Sequence, residues 1–206
     1  MVLIEKINGF RKSEVSEVVN RRLVEFIENG RGDQDRTFKE LCFCLLTANF
    51  NAERVIKIQS QIGDGFFTLS REKMGQTLRA LGHRFPSSRA EYIADAREKK
   101  DLVQKALRSL EGEERRGWFV NNVKGIGYKE ASHFLRNTGH FEYSIIDFHI
   151  MDLLVRENII DRPKALSRGE YMRIEGKLKE MSFQLGMNPG ELDLYLWFME
   201  TGRVLK

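Results

Sequence analysis

The chain has 206 residues, 41% hydrophobic and 31% charged, with a formal net charge of +4 and a pI near 9.1. This is an ordinary globular composition, which excludes a disordered, collagen-like or disulfide-stapled chain, and its mild basicity favours an anionic partner. The only two cysteines, Cys42 and Cys44, are spaced for neither a zinc nor an iron–sulfur site and poorly for a mutual disulfide, so buried thiols in a reducing, cytoplasmic compartment are expected. The N-terminus lacks the apolar core of a signal peptide, and no apolar run approaches the roughly 20 residues of a membrane span.

Hydrophobic periodicity is helical nearly throughout, so an all-α fold is predicted. Val15, Val18, Val19, Leu23, Phe26 and Ile27 line one face of an amphipathic helix. TFKELCFCLLTAN is apolar on almost all sides and reads as a central buried helix. NAERVIKIQSQIG, SREKMGQTLRALG and SSRAEYIADAREKK follow as shorter helices, with Gly63 and Gly82 as C-terminal stops. EGEERRGWFVNN gives another. YSIIDFHIMDLLVREN is expected to be a single, mostly buried helix; FEYSII, which runs into it, is the best strand candidate. SRGEYMRIEGKLKEMSFQLG is amphipathic, and Asn188-Pro189 supplies a cap and a first-turn proline for GELDLYLWFMETG.

Chemistry concentrates in KGIGYKEASHFLRN, residues 124–137. Gly125 and Gly127 allow a sharp turn and close approach of the backbone to a partner. A helix beginning near Tyr128 would point its unpaired N–H groups and the positive end of its dipole at the same place, a ready seat for phosphate. The preceding RRGWFVNNVK is amphipathic, so the whole reads as helix, Gly-x-Gly turn, helix: a helix-hairpin-helix DNA-binding unit. Lys129 stands at the mouth of the second helix, and Asp147 follows 18 residues later.

With those residues in place, the chain resembles the helix-hairpin-helix superfamily of DNA glycosylases, and within it the type 2 8-oxoguanine DNA glycosylase/AP lyase family. ELCFCLLTANFNAE, IGDGF, LGHRF, KGIGYKEASHFLRN, IIDFHI and ELDLYLWFMETGRVLK all resemble segments of that family, over nearly the whole chain. The superfamily follows its hairpin with a catalytic lysine and then a catalytic aspartate, and Lys129 and Asp147 hold those positions. Two positions depart from the superfamily pattern. Lys124 stands where proline is usual, as it does in type 2 members, and Phe148 stands where a basic residue is common.

The resemblance implies two helical lobes with the active site in the cleft between them. Residues 35–135 would form a central helical barrel ending in the hairpin; residues 1–34 and 136–206 would form the terminal lobe. The implied activity is removal of 8-oxoguanine from double-stranded DNA and nicking of the abasic site by β-elimination through a lysine Schiff base. Phe85 and Trp197 resemble the aromatics that sandwich the extruded base, and Asn49 the polar residue that fills the gap it leaves. The α-carboxylate of Lys206 would recognise the base. His149, like His133, suits a phosphate contact or a satisfied core position. Backbone carbonyls of Asn121, Val123 and Ile126 would hold a monovalent or alkaline-earth cation; no other cofactor is required, and no iron–sulfur cluster is expected. The enzyme would act as a monomer on genomic DNA in the cytoplasm, away from membranes. Two other readings are a glycosylase for another oxidised base and a hairpin module that only binds DNA, which would need neither Lys129 nor Asp147 in register.

The residue types suit the chemistry. A neutral lysine amine can attack C1′ and hold the sugar as an iminium, from which the 3′ phosphate is eliminated. Partial burial and a helix N-terminus both favour the neutral amine. A carboxylate is needed to hold the positive charge that develops on the sugar. Taken alone, Lys129 also suits a solvated helix lysine, Asp147 a helix N-cap, Asn49 a helix C-terminus, and Phe85 and Trp197 core positions.

Overall fold

The computed structural model describes residues Val2–Lys206. They form α1 (Val2–Arg11), α2 (Val15–Arg31), α3 (Gln34–Thr47), α4 (Ala52–Ile62), α5 (Gly65–Thr68), α6 (Arg71–Ala80), α7 (Pro86–Glu98), α8 (Lys100–Ser109), α9 (Gly112–Asn122), α10 (Tyr128–Asn137), α11 (Phe148–Arg156), α12 (Arg168–Gln184) and α13 (Pro189–Thr201). No strand occurs among the described residues, and no helix there is long and apolar enough to cross a membrane. The fold is all-α.

Polar residues placed before each apolar run start many of these helices. Asp33, Asn51, Ser70, Ser167 and Asn188 each accept a hydrogen bond from the N–H three residues on, which satisfies one of the donors a helix leaves open at its start.

The chain divides into two compact units, one built from residues up to Glu28 with Leu135–Lys206, the other from Asn29–Phe134. In the second, α3 is central and packs against α4, α7 and α8. Its run from Leu41 to Leu46 is wholly buried, both cysteines included, and neither cysteine is in a disulfide among the described residues. Burial pushes the Cys42 thiol well above its ordinary pKa. In the first unit, α13 packs against α1, α11 and α12.

The expected helix across residues 143–158 starts later than its sequence suggests. Asp147 caps α11, its Oδ1 accepting from the Ile150 N–H at 3.0 Å. Tyr143–Ile146 is buried and irregular instead, neither helix nor strand. With no neighbouring strand, its backbone groups bond to side chains of α12. The Ser144 N–H donates to Glu175 Oε1 at 3.0 Å, the Tyr171 hydroxyl donates to the Ser144 carbonyl at 2.8 Å, and the Ile146 N–H donates to that hydroxyl at 3.3 Å. These bonds fix the approach of the chain to Asp147. Similarly, SSRAEYIADAREKK ends as a helix at Glu98, and α8 begins afresh at Lys100.

A buried ion pair ties α10 to α13. Arg136 donates to Asp193 Oδ2 at 2.5 Å and to Asn137 Oδ1 at 3.1 and 3.0 Å, and it lies 4.9 Å from the centre of the Phe26 ring. Its side chain is 4% exposed and that of Asp193 8%, so removing the cation takes the countercharge from a buried carboxylate. Arg136→Met is expected to destabilise the fold by about 3–5 kcal/mol, read by urea denaturation.

Candidate active site and hairpin

The hairpin between α9 and α10 is built on close contact. Gly125 has φ +81°, and a Cβ there would lie 2.3 Å from Cδ2 of Tyr92, so only glycine lets that ring pack on the turn. The guanidinium of Arg116 on α9 is fully buried. It bonds Ser132 Oγ on α10 at 3.1 Å, pairs with Glu113, and lies 5.3 Å from the centre of the Tyr128 ring. Lys124 pairs with Glu91 at 3.7 Å. These contacts stiffen a turn that lacks proline. Along it, the Val123 carbonyl accepts from the Ile126 N–H at 3.3 Å, and the Asn122 carbonyl is taken by Lys99 Nζ at 2.9 Å. The carbonyls of Asn121, Val123 and Ile126 are all-oxygen donors of the kind that suit a hard cation.

Lys129 is the second residue of α10, its side chain 21% exposed and its Nζ 3.9 Å from Oε1 of Glu130. Glu130 folds back over the helix start, its Oε2 accepting from the Gly127 N–H at 3.3 Å, as in a capping box. Glu130 was not singled out from the sequence, although an acidic residue in a first turn is the usual signal for such a contact.

In the unit formed by residues up to Glu28 and Leu135–Lys206, Asp147, His149 and Trp197 lie on adjoining elements. Asp147 spends Oδ1 on its cap, accepting there from the Ile150 N–H. His149 stacks on Phe148 with ring centres 4.0 Å apart and meets Trp197 edge-on at 5.2 Å. Phe148 is exposed, and the Nε1–H of Trp197 is buried with no hydrogen-bond partner among the described residues. After Trp197 the helix ends at Gly202, φ +71°, which turns the last residues, through Lys206, off the helix axis.

In the Asn29–Phe134 unit, Asn49 and Phe85 are joined through a residue the sequence reading did not single out. Asn49 is exposed with φ +57°, in the turn after α3. Phe85 precedes α7, with the guanidinium groups of Arg84 and Arg89 5.0 and 5.6 Å from its ring centre. His83 bridges the two segments. Its Nε2 bonds the Leu46 carbonyl at 3.0 Å, its Nδ1 accepts from the Phe85 N–H at 3.1 Å, and its ring centre lies 4.3 Å from that of Phe50. Burial pushes its pKa below the ordinary value; the Leu46 carbonyl opposes this, and Arg89 and Arg54 add to it. His133 is a core residue, buried edge-on to Phe43 at 5.6 Å.

Comparison with known proteins gives the family of the chain. The profile of the Ogg-HhH family, described as 8-oxoguanine DNA glycosylase, matches residues 19–187. A protein of Korarchaeum cryptofilum named 8-oxoguanine DNA glycosylase/AP lyase is 50% identical over 99% of this chain and 98% of its own. A Methanocaldococcus jannaschii protein of the same name is 48% identical over the full length of both. The crystal structure of the M. jannaschii 8-oxoguanine glycosylase/lyase with a 15mer DNA containing 8-oxoguanine superposes with a TM-score of 0.96 at 46% identity, covering 100% of each chain. That of the 8-oxoguanine DNA glycosylase of Thermotoga maritima gives 0.90 at 40% identity, over 99% of this chain and 98% of that one. Alike in sequence along its length and in the path of its backbone, the chain belongs to the 8-oxoguanine DNA glycosylase family.

Proposed function

We propose that the protein excises 8-oxoguanine from double-stranded DNA and cleaves the strand at the resulting abasic site, with Lys129 as nucleophile and Asp147 as the charge that steadies the sugar. The observation that carries this reading is the placement of a half-buried lysine in the first turn of α10, directly behind the Gly125–Gly127 turn. Lys129 Nζ attacks C1′ as the bond to the base breaks, and the sugar opens to an iminium on Nζ. Loss of a C2′ proton then expels the 3′ phosphate, and hydrolysis of the iminium frees the lysine.

Asp147 holds positive charge on the sugar while its own helix holds the carboxylate still. The hairpin grips the DNA backbone through Gly125, Gly127 and the start of α10, with His149 on a further phosphate. A cation held by the carbonyls of Asn121, Val123 and Ile126 would add positive charge to that grip. Asn49 fills the gap left in the duplex, and Phe85 and Trp197 stack on the extruded base, restoring the stacking lost on extrusion. The protein acts as a monomer, in the cytoplasm with the genomic DNA.

Base choice follows from hydrogen-bond polarity. Guanine N7 accepts, whereas 8-oxoguanine carries a hydrogen there and donates. The α-carboxylate of Lys206 can only accept, so it attracts the lesion and repels the undamaged base.

Lys129→Gln should still bind DNA but lose base excision and strand cleavage together; a borohydride-stable adduct with abasic DNA in this variant would refute the assignment. Asp147→Asn keeps an acceptor for the Ile150 N–H, so the fold should be undisturbed. Its single-turnover excision should fall at least about a hundredfold, roughly 2.7 kcal/mol of lost charge stabilisation. A rate within a few-fold of the parent would reduce Asp147 to a cap. Extending the C-terminus or deleting Lys206 should cut 8-oxoguanine excision far more than lyase action on a preformed abasic site, and equal losses in the two assays would remove Lys206 from base recognition.

A further inference from the structure

The turn carrying Asn49 and the strap Gly82–Phe85 follow different helices, α3 and α6, yet the imidazole of His83, on the strap, bonds both Leu46 in the last turn of α3 and Phe85. The Leu46 carbonyl can only accept, so Nε2 of His83 carries the proton. The Phe85 N–H can only donate, so Nδ1 keeps its lone pair. The two bonds therefore exist together only while the ring is neutral, since the Phe85 N–H loses its acceptor when Nδ1 takes a proton. The charged groups acting on it are both cations: Arg54 from α4 and Arg89 from α7. Each also ties the segments directly. Arg54 donates to the Gly82 carbonyl at 2.9 Å with its guanidinium 4.9 Å from the centre of the Phe50 ring, and Arg89 donates to the Ala48 carbonyl at 2.6 Å. Arg84 stands on the strap itself, against Phe85.

We propose that His83 is a positioning residue for base extrusion: its neutral ring sets Asn49 and Phe85 in one register, and its protonation releases Phe85 and stops extrusion. This rests on the reading of Asn49 and Phe85 as the groups that act on the lesion. A proton on Nδ1 abolishes the acceptor for the Phe85 N–H and adds a third cation beside Arg54 and Arg89. The sign of the pH effect follows. An imidazole whose pKa is lowered in the fold contributes stability that is complete above its ordinary value of 6.5 and is lost as pH falls from there through the folded value.

Extrusion is read by the fluorescence of 2-aminopurine placed beside 8-oxoguanine in a duplex, and lyase chemistry by borohydride trapping on a single-stranded abasic oligonucleotide. His83→Gln should extrude at least about tenfold more slowly near neutral pH, the scale of loss from slight misplacement, while trapping stays within about twofold. The parent should lose extrusion as pH falls below 6.5, and His83→Gln should lack that acid limb. Extrusion at the parent rate, or an unchanged acid limb in the variant, overturns the proposal. Phe85→Ala separates it from the reading it rests on. Slow extrusion in Phe85→Ala with fast extrusion in His83→Gln removes His83 alone, whereas fast extrusion in Phe85→Ala removes Phe85 from the lesion. If His83→Gln does not fold, the parent's pH series decides: an acid limb in extrusion supports the proposal, and a flat series overturns it.

Discussion

A guanidinium with no exposed surface sets the geometry of the hairpin. Arg116 lies wholly inside the α9–α10 junction, where an unpaired charge would be very costly, so the groups that pair with it are held in place. Glu113 belongs to its own helix, but Ser132 and the Tyr128 ring belong to the next, and the contact fixes the rotation of α10 relative to α9. That rotation determines where the helix start points, and with it the Gly127 N–H and the Lys129 side chain. Tyr92 packs directly on Gly125 of the turn. A proline would stiffen one bond of such a turn, whereas this chain holds the whole turn from outside.

The same strategy recurs wherever the chain leaves helical geometry. An all-α fold has no ladder to satisfy the backbone of its connections, and buried connections must find side-chain partners. Tyr171 and Glu175 hold the irregular approach to Asp147. His83, Arg54 and Arg89 hold the two connections that carry Asn49 and Phe85. The residues assigned to the chemistry thus sit at the ends of rigid helices, fixed by polar clamps from neighbouring ones.

This division explains what could be read from the sequence. Caps such as Asn51, Ser70, Ser167 and Asn188 act on a backbone N–H three residues away and are legible where they stand. The Gly125–Gly127 turn with Lys129 behind it is equally local. Clamps are different, since the partner of His83 lies 37 residues away and that of Tyr171 27. Nothing in LGHRF or GEYMRIE marks a hydrogen bond over such a span. Residues 143–146 misled for a related reason: their apolar run satisfies a buried helix as well as a buried irregular segment, and side chains of α12 decide between them. The limits of the two units fall inside α2 and α10, where an unbroken helix carries no punctuation.

The thiols of α3 have a bearing on the conditions in which such an enzyme works. 8-Oxoguanine is a product of oxidants, and the same species attack cysteine, chiefly as exposed thiolate. Both cysteines of this chain are sealed in its central helix, and Cys42 is held protonated by its surroundings. Lysine and aspartate, to which the chemistry is assigned, have no comparable oxidation ladder. On that assignment the reactive centre needs no reduced sulfur, and the buried thiols of α3 are shielded from an oxidant in solution.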